Sequence, residues 1–112
     1  MTEKLTTRNP GPIAKKLLAR ESFKTNGALK GVAKPGWLDR GEMSVRDYDF
    51  LLGDRDFYGI DYVIYSYETT IAWLRGDGNW FMPAADYSPT TTRHKNTIRA
   101  AILEYKKALN NA

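Results

Sequence analysis

The clearest alternation of apolar and polar positions lies in the second half of the chain. In the run DYVIYSYE (61–68), Tyr62, Ile64 and Ser66 fall on one side of an extended backbone and Val63, Tyr65 and Tyr67 on the other. Nearly all are good strand formers, and both sides read as largely covered. TIAWLR (70–75) repeats this composition, Gly76-Asp77-Gly78-Asn79 supplies turn chemistry, and NWFM (79–82) follows until Pro83 stops it. The pattern predicts a β-meander of three strands, or slightly more. The period then changes. Ser88 suits an N-cap and Pro89 the first helical position, and Ile98, Ala101, Ile102, Tyr105, Ala108 and Leu109 recur at helical spacing with His94 one turn upstream. This predicts an amphipathic C-terminal helix whose core face carries those residues, with Arg99, Lys106 and Lys107 turned away from it.

The first half is less regular. Residues 1–11 are polar and lead into Asn9-Pro10-Gly11-Pro12, which resists helix and strand alike, so a flexible arm is expected there and a single domain over 12–112. Ile13, Leu17 and Leu18 predict a short helix from Pro12. The segment FKTNGALKGV (23–32) reads as an irregular strand or a hairpin, followed by a loop through Trp37 to Gly41. Ser44 caps an expected short aromatic helix containing Tyr48, Phe50, Leu51 and Leu52 that ends at Gly53, and GDRDFYGID (53–61) reads as a turn-rich loop. The sum is an α+β domain: a small antiparallel meander packed on a C-terminal helix, with one or two short helices before it.

Composition adds bounds to that picture. At 112 residues, 42% hydrophobic and 12% aromatic, the chain suffices for one modest core. No cysteine is present, which excludes disulfides, thiolate metal sites and cysteine nucleophiles. No apolar run approaches the roughly 18–20 residues of a membrane span, and the N-terminus lacks the apolar core of a signal peptide, so a cytoplasmic, non-membrane protein is expected. The net charge of +4 conceals three blocks. Residues 1–46 hold ten Lys/Arg against four Asp/Glu, residues 47–87 two against eight, and residues 88–112 five against one. Blocks of both signs either neutralise one another in the fold or give the molecule faces of opposite potential.

Candidate binding residues gather at the strand-to-helix junction. Thr90, Thr91, Arg93 and His94 occupy the first turns of the last helix, with Lys95 and Arg99 following and Tyr87 just before. Free backbone N–H groups, hydroxyls, a guanidinium and an imidazole there suit an anion. Helix capping alone would also reward Ser and Thr at these positions. Tyr65 and Tyr67, with Tyr62, Trp73, Trp80 and Phe81, form either an aromatic core or a platform on which unpaired bases stack, and the need to bury area in so small a chain favours the core.

These residues also carry a resemblance. Tyr65-Ser66-Tyr67, Thr69, Ile71-Ala72-Trp73, then Tyr87-Ser88, Thr90-Thr91 and His94 resemble a family of small proteins of unknown function encoded by bacteriophages, plasmids and related elements. Thr70 stands where that family often has proline, and Pro89 separates Ser88 from the threonines. The resemblance implies a mobile-element origin and expression in a host cytoplasm.

Catalysis is not expected. His94 is the sole histidine, and no nucleophile elbow, glycine-rich phosphate loop or metal-binding histidine spacing occurs. Asp54, Asp56 and Asp61 lack the rest of a calcium-loop pattern. No cofactor and no metal are called for. Two partner classes remain. The first is a host protein, met through the acidic 47–61 segment or an exposed aromatic patch. The second is nucleic acid, met through the basic N-terminal segment and C-terminal helix. The mixed charge blocks and the absence of a recognised nucleic-acid motif tip the sequence reading towards the host protein. A homo-oligomer paired through a sheet edge is a further candidate.

Overall fold

In a computed structural model of the protein, which describes residues 4–85 and 88–111, the sheet is wider than the meander. Its strands are β1 (Lys4–Leu5), β2 (Phe23–Thr25), β3 (Leu29–Ala33), β4 (Ile60–Ser66), β5 (Thr69–Arg75) and β6 (Trp80–Phe81), hydrogen-bonded in that order. The meander β4–β5–β6 is therefore half of a six-stranded sheet. The other half exists because β3 pairs along β4 from Leu29↔Ser66 to Ala33↔Tyr62, and the β2–β3 hairpin carries β1 on its outer edge. The β1–β2 pair is parallel and every other pair antiparallel, so the sheet is mixed.

Three helices cover the sheet among the described residues: α1 (Pro10–Ala19), α2 (Val45–Tyr58) and α3 (Pro89–Asn110). Helix α1 packs against α3 on one face. Ile13, Leu17, Phe23, Leu29, Ile64, Leu74 and Ile98 are buried between that helical pair and the sheet. Helix α2 and the loop before it cover the opposite face, where Leu38, Met43, Leu51, Val63, Tyr65 and Trp73 form a second cluster. The alternation along β4 sorts its side chains between the two. Tyr62 and Ile64 enter the first cluster, and Val63 and Tyr65 the second.

Local chemistry explains the helix ends. Asn9 accepts from the Gly11 N–H, and Pro10, missing its own N–H, occupies the first turn of α1. Residues 4–11, expected as an arm, are thus engaged with the domain. Lys4 and Leu5 pair with β2, and Thr97 Oγ1 donates to the Thr7 carbonyl at 2.9 Å. Ser44 accepts from Asp47 N at 3.0 Å and starts α2. The helix does not end at Gly53, as the sequence led us to expect. Gly53 costs about 1 kcal/mol in an exposed helix but does not break one, and termination waits for Gly59, whose φ of 78° a side chain would resist. Asp54 and Asp56 consequently lie on a helix and not in a loop. Helix α3 begins where the Ser88-Pro89 pattern puts it, with Ser88 Oγ accepting from Thr91 N at 3.1 Å. Its core face fades in the last two turns, since Ala108 and Leu109 are exposed. No helix among the described residues is long and apolar enough to cross a membrane.

Candidate functional site

Strands β4 and β5 are joined by a two-residue loop, Tyr67-Glu68, between the paired Ser66 and Thr69. Tyr67 takes a left-handed conformation there, with φ of 57°, and its N–H bonds the Ala28 carbonyl at 2.9 Å. A two-residue hairpin normally gives such a position to Gly or Asn, because a Cβ crowds the backbone. The tyrosine that occupies it is 58% exposed. The fold therefore holds a large ring, at a conformational cost, in solvent.

Around this ring lie the polar residues that the sequence scatters over two segments. Ser66 Oγ sits 2.7 Å from His94 Nδ1 and 3.3 Å from Thr91 Oγ1, and Ser88 Oγ donates to Thr91 Oγ1 at 3.0 Å. The hairpin end and the first turns of α3 are thereby joined by buried hydrogen bonds. The His94 ring lies 6.4 Å from that of Tyr67. Burial, and secondarily the neighbouring Arg93 charge, lowers the His94 pKa below its ordinary 6.5, so the imidazole is neutral at pH 7.

The unfolded chain then binds the extra proton first as pH falls, so the native state loses stability as pH drops from about 6.5 through the depressed value. Urea melts between pH 7.5 and 5 are expected to show that decline, and a His94→Gln variant should lack its share of it. Ser66→Ala, which strands a buried ring nitrogen, is expected to cost about 1–3 kcal/mol.

Three clefts lie in a row here, the middle one sharing Thr90 with one neighbour and Tyr67 with the other. The largest, about 820 Å³, has Ser66, Tyr67, Ser88 and Thr91 on its walls with Glu42 and Glu68. A second, about 460 Å³, holds Arg8, Thr90, Arg93 and His94. The third, about 370 Å³, brings Tyr67 beside Lys4, Lys24 and Lys30. These lysines form a ladder across three strands. Lys4 is the register partner of Lys24, and Lys24 of Lys30. All three are exposed, and none is ion-paired among the described residues. Like charges directly opposite on a sheet are destabilising. Lys30 closes the row by lying over the Tyr65 ring, 5.4 Å from its centroid.

The expected site residues separate into groups. Tyr67, Thr90, Thr91, Arg93 and His94 come together. Tyr65 belongs to the core, 4% exposed, with its hydroxyl donated to the Trp37 carbonyl and its pKa raised by burial first and by Asp39 second. Lys95 is buried as well and donates from Nζ to the Ala85 carbonyl at 2.8 Å. Arg99 is solvent-facing but lies along α3 beside Asn96, on another groove. Tyr87 lies outside the described residues. Ser66 and the lysine ladder were not among the expected site residues. The +6 of residues 1–46 held the only hint of the ladder, and its alignment depends on the pairing of β1. Among the described residues no group of three or more His, Asp or Glu is placed to hold a metal ion.

No curated protein and no solved structure matches the chain. A family model described as a family of unknown function (DUF8033) matches residues 12–110, and the chain belongs to that family.

Proposed function

We propose that the protein binds single-stranded nucleic acid across the Tyr67 end of the sheet. The observation that carries this reading is the pairing of an exposed aromatic ring, kept in a strained hairpin position, with an unneutralised ladder of three lysines. Both features lower the stability of the free protein, and both are what an unpaired strand needs: a surface for a base and cations for phosphates. Lys4, Lys24 and Lys30 beside Tyr67 take the backbone, and Arg8 and Arg93 offer further cations in a separate cleft at Thr90. The large cleft between them carries two carboxylates and several hydroxyls, a lining that repels phosphate but accepts hydrogen bonds from exocyclic amino groups of a base. The resemblance to phage- and plasmid-encoded proteins supports, within the same proposal, a mobile-element role in a host cytoplasm without catalysis.

The test is anisotropy of a labelled single-stranded oligonucleotide against added salt. Affinity is expected to fall steeply with salt. Substituting Lys4, Lys24 and Lys30 together by Ala is expected to reduce the slope of log K against log salt by about 2, near 0.7 for each lost phosphate contact. Lys24→Glu alone is expected to stabilise the free protein while weakening binding. Equal salt slopes for the wild type and the triple variant would refute the assignment.

A host protein is the second reading, and a specific observation favours it. Phe57 on α2 is 82% exposed, so the acidic segment and an exposed aromatic patch coincide. A pull-down from host lysate with and without nuclease separates the two, since only nucleic-acid-mediated capture is lost on digestion.

A further inference from the structure

Independently of the nucleic-acid reading, we infer that the β6 edge of the sheet is a self-association surface, at which α2 of each copy lies in a groove of the other. The edge is flanked by two unlike apolar patches. On one side α2 presents Phe50 and Phe57, 43% and 82% exposed, with Gly53 between them on the same helical stripe. Nothing lies within 4 Å of where a Gly53 side chain would begin, so the chain's own packing does not require a glycine there. A residue unfavourable in helices, placed between two exposed rings, lets another molecule's surface approach the α2 backbone closely.

On the other side a groove of about 290 Å³ runs between β6 and α3, with Trp80, Met82, Ile102 and Leu103 as its apolar lining and Arg99 and Lys106 at its rim. Leu103 is 59% exposed. The charges select the pairing. With the buried Asp54 and Lys95 set aside, α2 carries Asp47, Asp49 and Asp56 against Arg46 and Arg55, and α3 carries Arg93, Arg99, Lys106 and Lys107 against Glu104. An aromatic ring with a carboxylate beside it, as in Asp56-Phe57 or Asp49-Phe50, matches an apolar groove with a cationic rim, and this chain supplies both halves. Phe81 joins them, since it lines the groove and stacks on Phe50 at 4.7 Å. Because the patches lie on opposite sides of one edge strand, a two-fold axis along that edge sets each α2 against the partner's groove and closes the assembly at two copies. Continuing the sheet antiparallel through β6 would instead set acidic α2 against α2 and basic α3 against α3.

Light scattering over a concentration series tests this directly. The wild type is expected at twice the chain mass, shifting towards monomer as salt is raised. Phe57→Asp and Leu103→Asp alter side chains that are exposed in the single chain, so each is expected to keep the wild-type circular dichroism and run as a monomer. Mixed together, they retain one intact contact, the Phe57→Asp groove with the Leu103→Asp helix. The mixture is expected to regain dimer at concentrations where each variant alone is monomeric. A wild type that stays monomeric throughout overturns the inference, even if its α2 captures another protein. So does a mixture that stays monomeric, which would mean that α2 meets α2, and so does a mass that grows without closing at two copies.

Discussion

Tyr67→Gly is expected to weaken single-stranded oligonucleotide binding by about 5- to 150-fold, the equivalent of one stacked base at 1–3 kcal/mol, while leaving the folded protein as stable as before or slightly more so. The two effects run in opposite directions for one reason. Residue 67 adopts a φ of 57°, where glycine is at ease and a tyrosine is strained. Its ring is 58% exposed and adds little to the core. A merely structural tyrosine would behave otherwise, since its removal would lower the melting temperature and reduce binding only through loss of folded protein. Parallel titrations and thermal melts of the same preparations distinguish the two cases. A variant that melts several degrees lower and binds normally would show that the ring serves the fold.

Asp54→Ala is expected to have the largest effect on stability among the substitutions considered. The Asp54 carboxylate is 6% exposed and accepts from Trp73 Nε1 at 2.8 Å and Arg75 Nε at 2.7 Å, tying α2 to β5 beneath the second core cluster. Removing it leaves a buried indole N–H without an acceptor and a partly buried guanidinium without its counter-charge. Loss of one partner from such a pair costs on the order of 3–5 kcal/mol. For a domain near 100 residues that corresponds to a melting temperature lower by more than about 10 °C. Asp54→Asn, which preserves the shape and one acceptor oxygen, is expected to lose distinctly less. Equal melting temperatures for Asp54→Ala and the wild type would show that the aspartate is dispensable to the α2 contact.

The same aspartate illustrates where the sequence is legible and where it is not. GDRDFYGID has the composition of a loop, and its glycines and aspartates are poor helix formers. The run is helical through Tyr58 because Leu51 and Asp54 face the sheet and gain burial and hydrogen bonds there, a tertiary gain that local propensity does not contain. By contrast, β4, β5 and the start of α3 were readable because each has a local cause: β-branched and aromatic density for the strands, Ser88-Pro89 for the helix.

The site divides along the same line. The convergence on the start of α3 followed from capping chemistry, which is local. The contact of Ser66 with His94 joins residues 28 positions apart. The lysine ladder requires Lys4, Lys24 and Lys30 to be brought into register by three short strands. Charge counting detects an excess of lysine, and only strand pairing aligns it. In the sequence Tyr67 is one of several similar tyrosines. Its difference from Tyr62 and Tyr65, which are buried, comes from its place in the hairpin loop, one residue past the end of β4.

The claim that nucleic acid is held at the Tyr67 end of the sheet is tested most directly by amide-resolved NMR of the isotope-labelled protein, titrated at low salt with an unlabelled single-stranded oligonucleotide. Saturable shifts are expected at Lys4, Lys24, Ala28, Lys30, Tyr67 and the first turn of α3, with α2 unmoved. Shifts confined to α2, or none at saturating oligonucleotide, would contradict the claim.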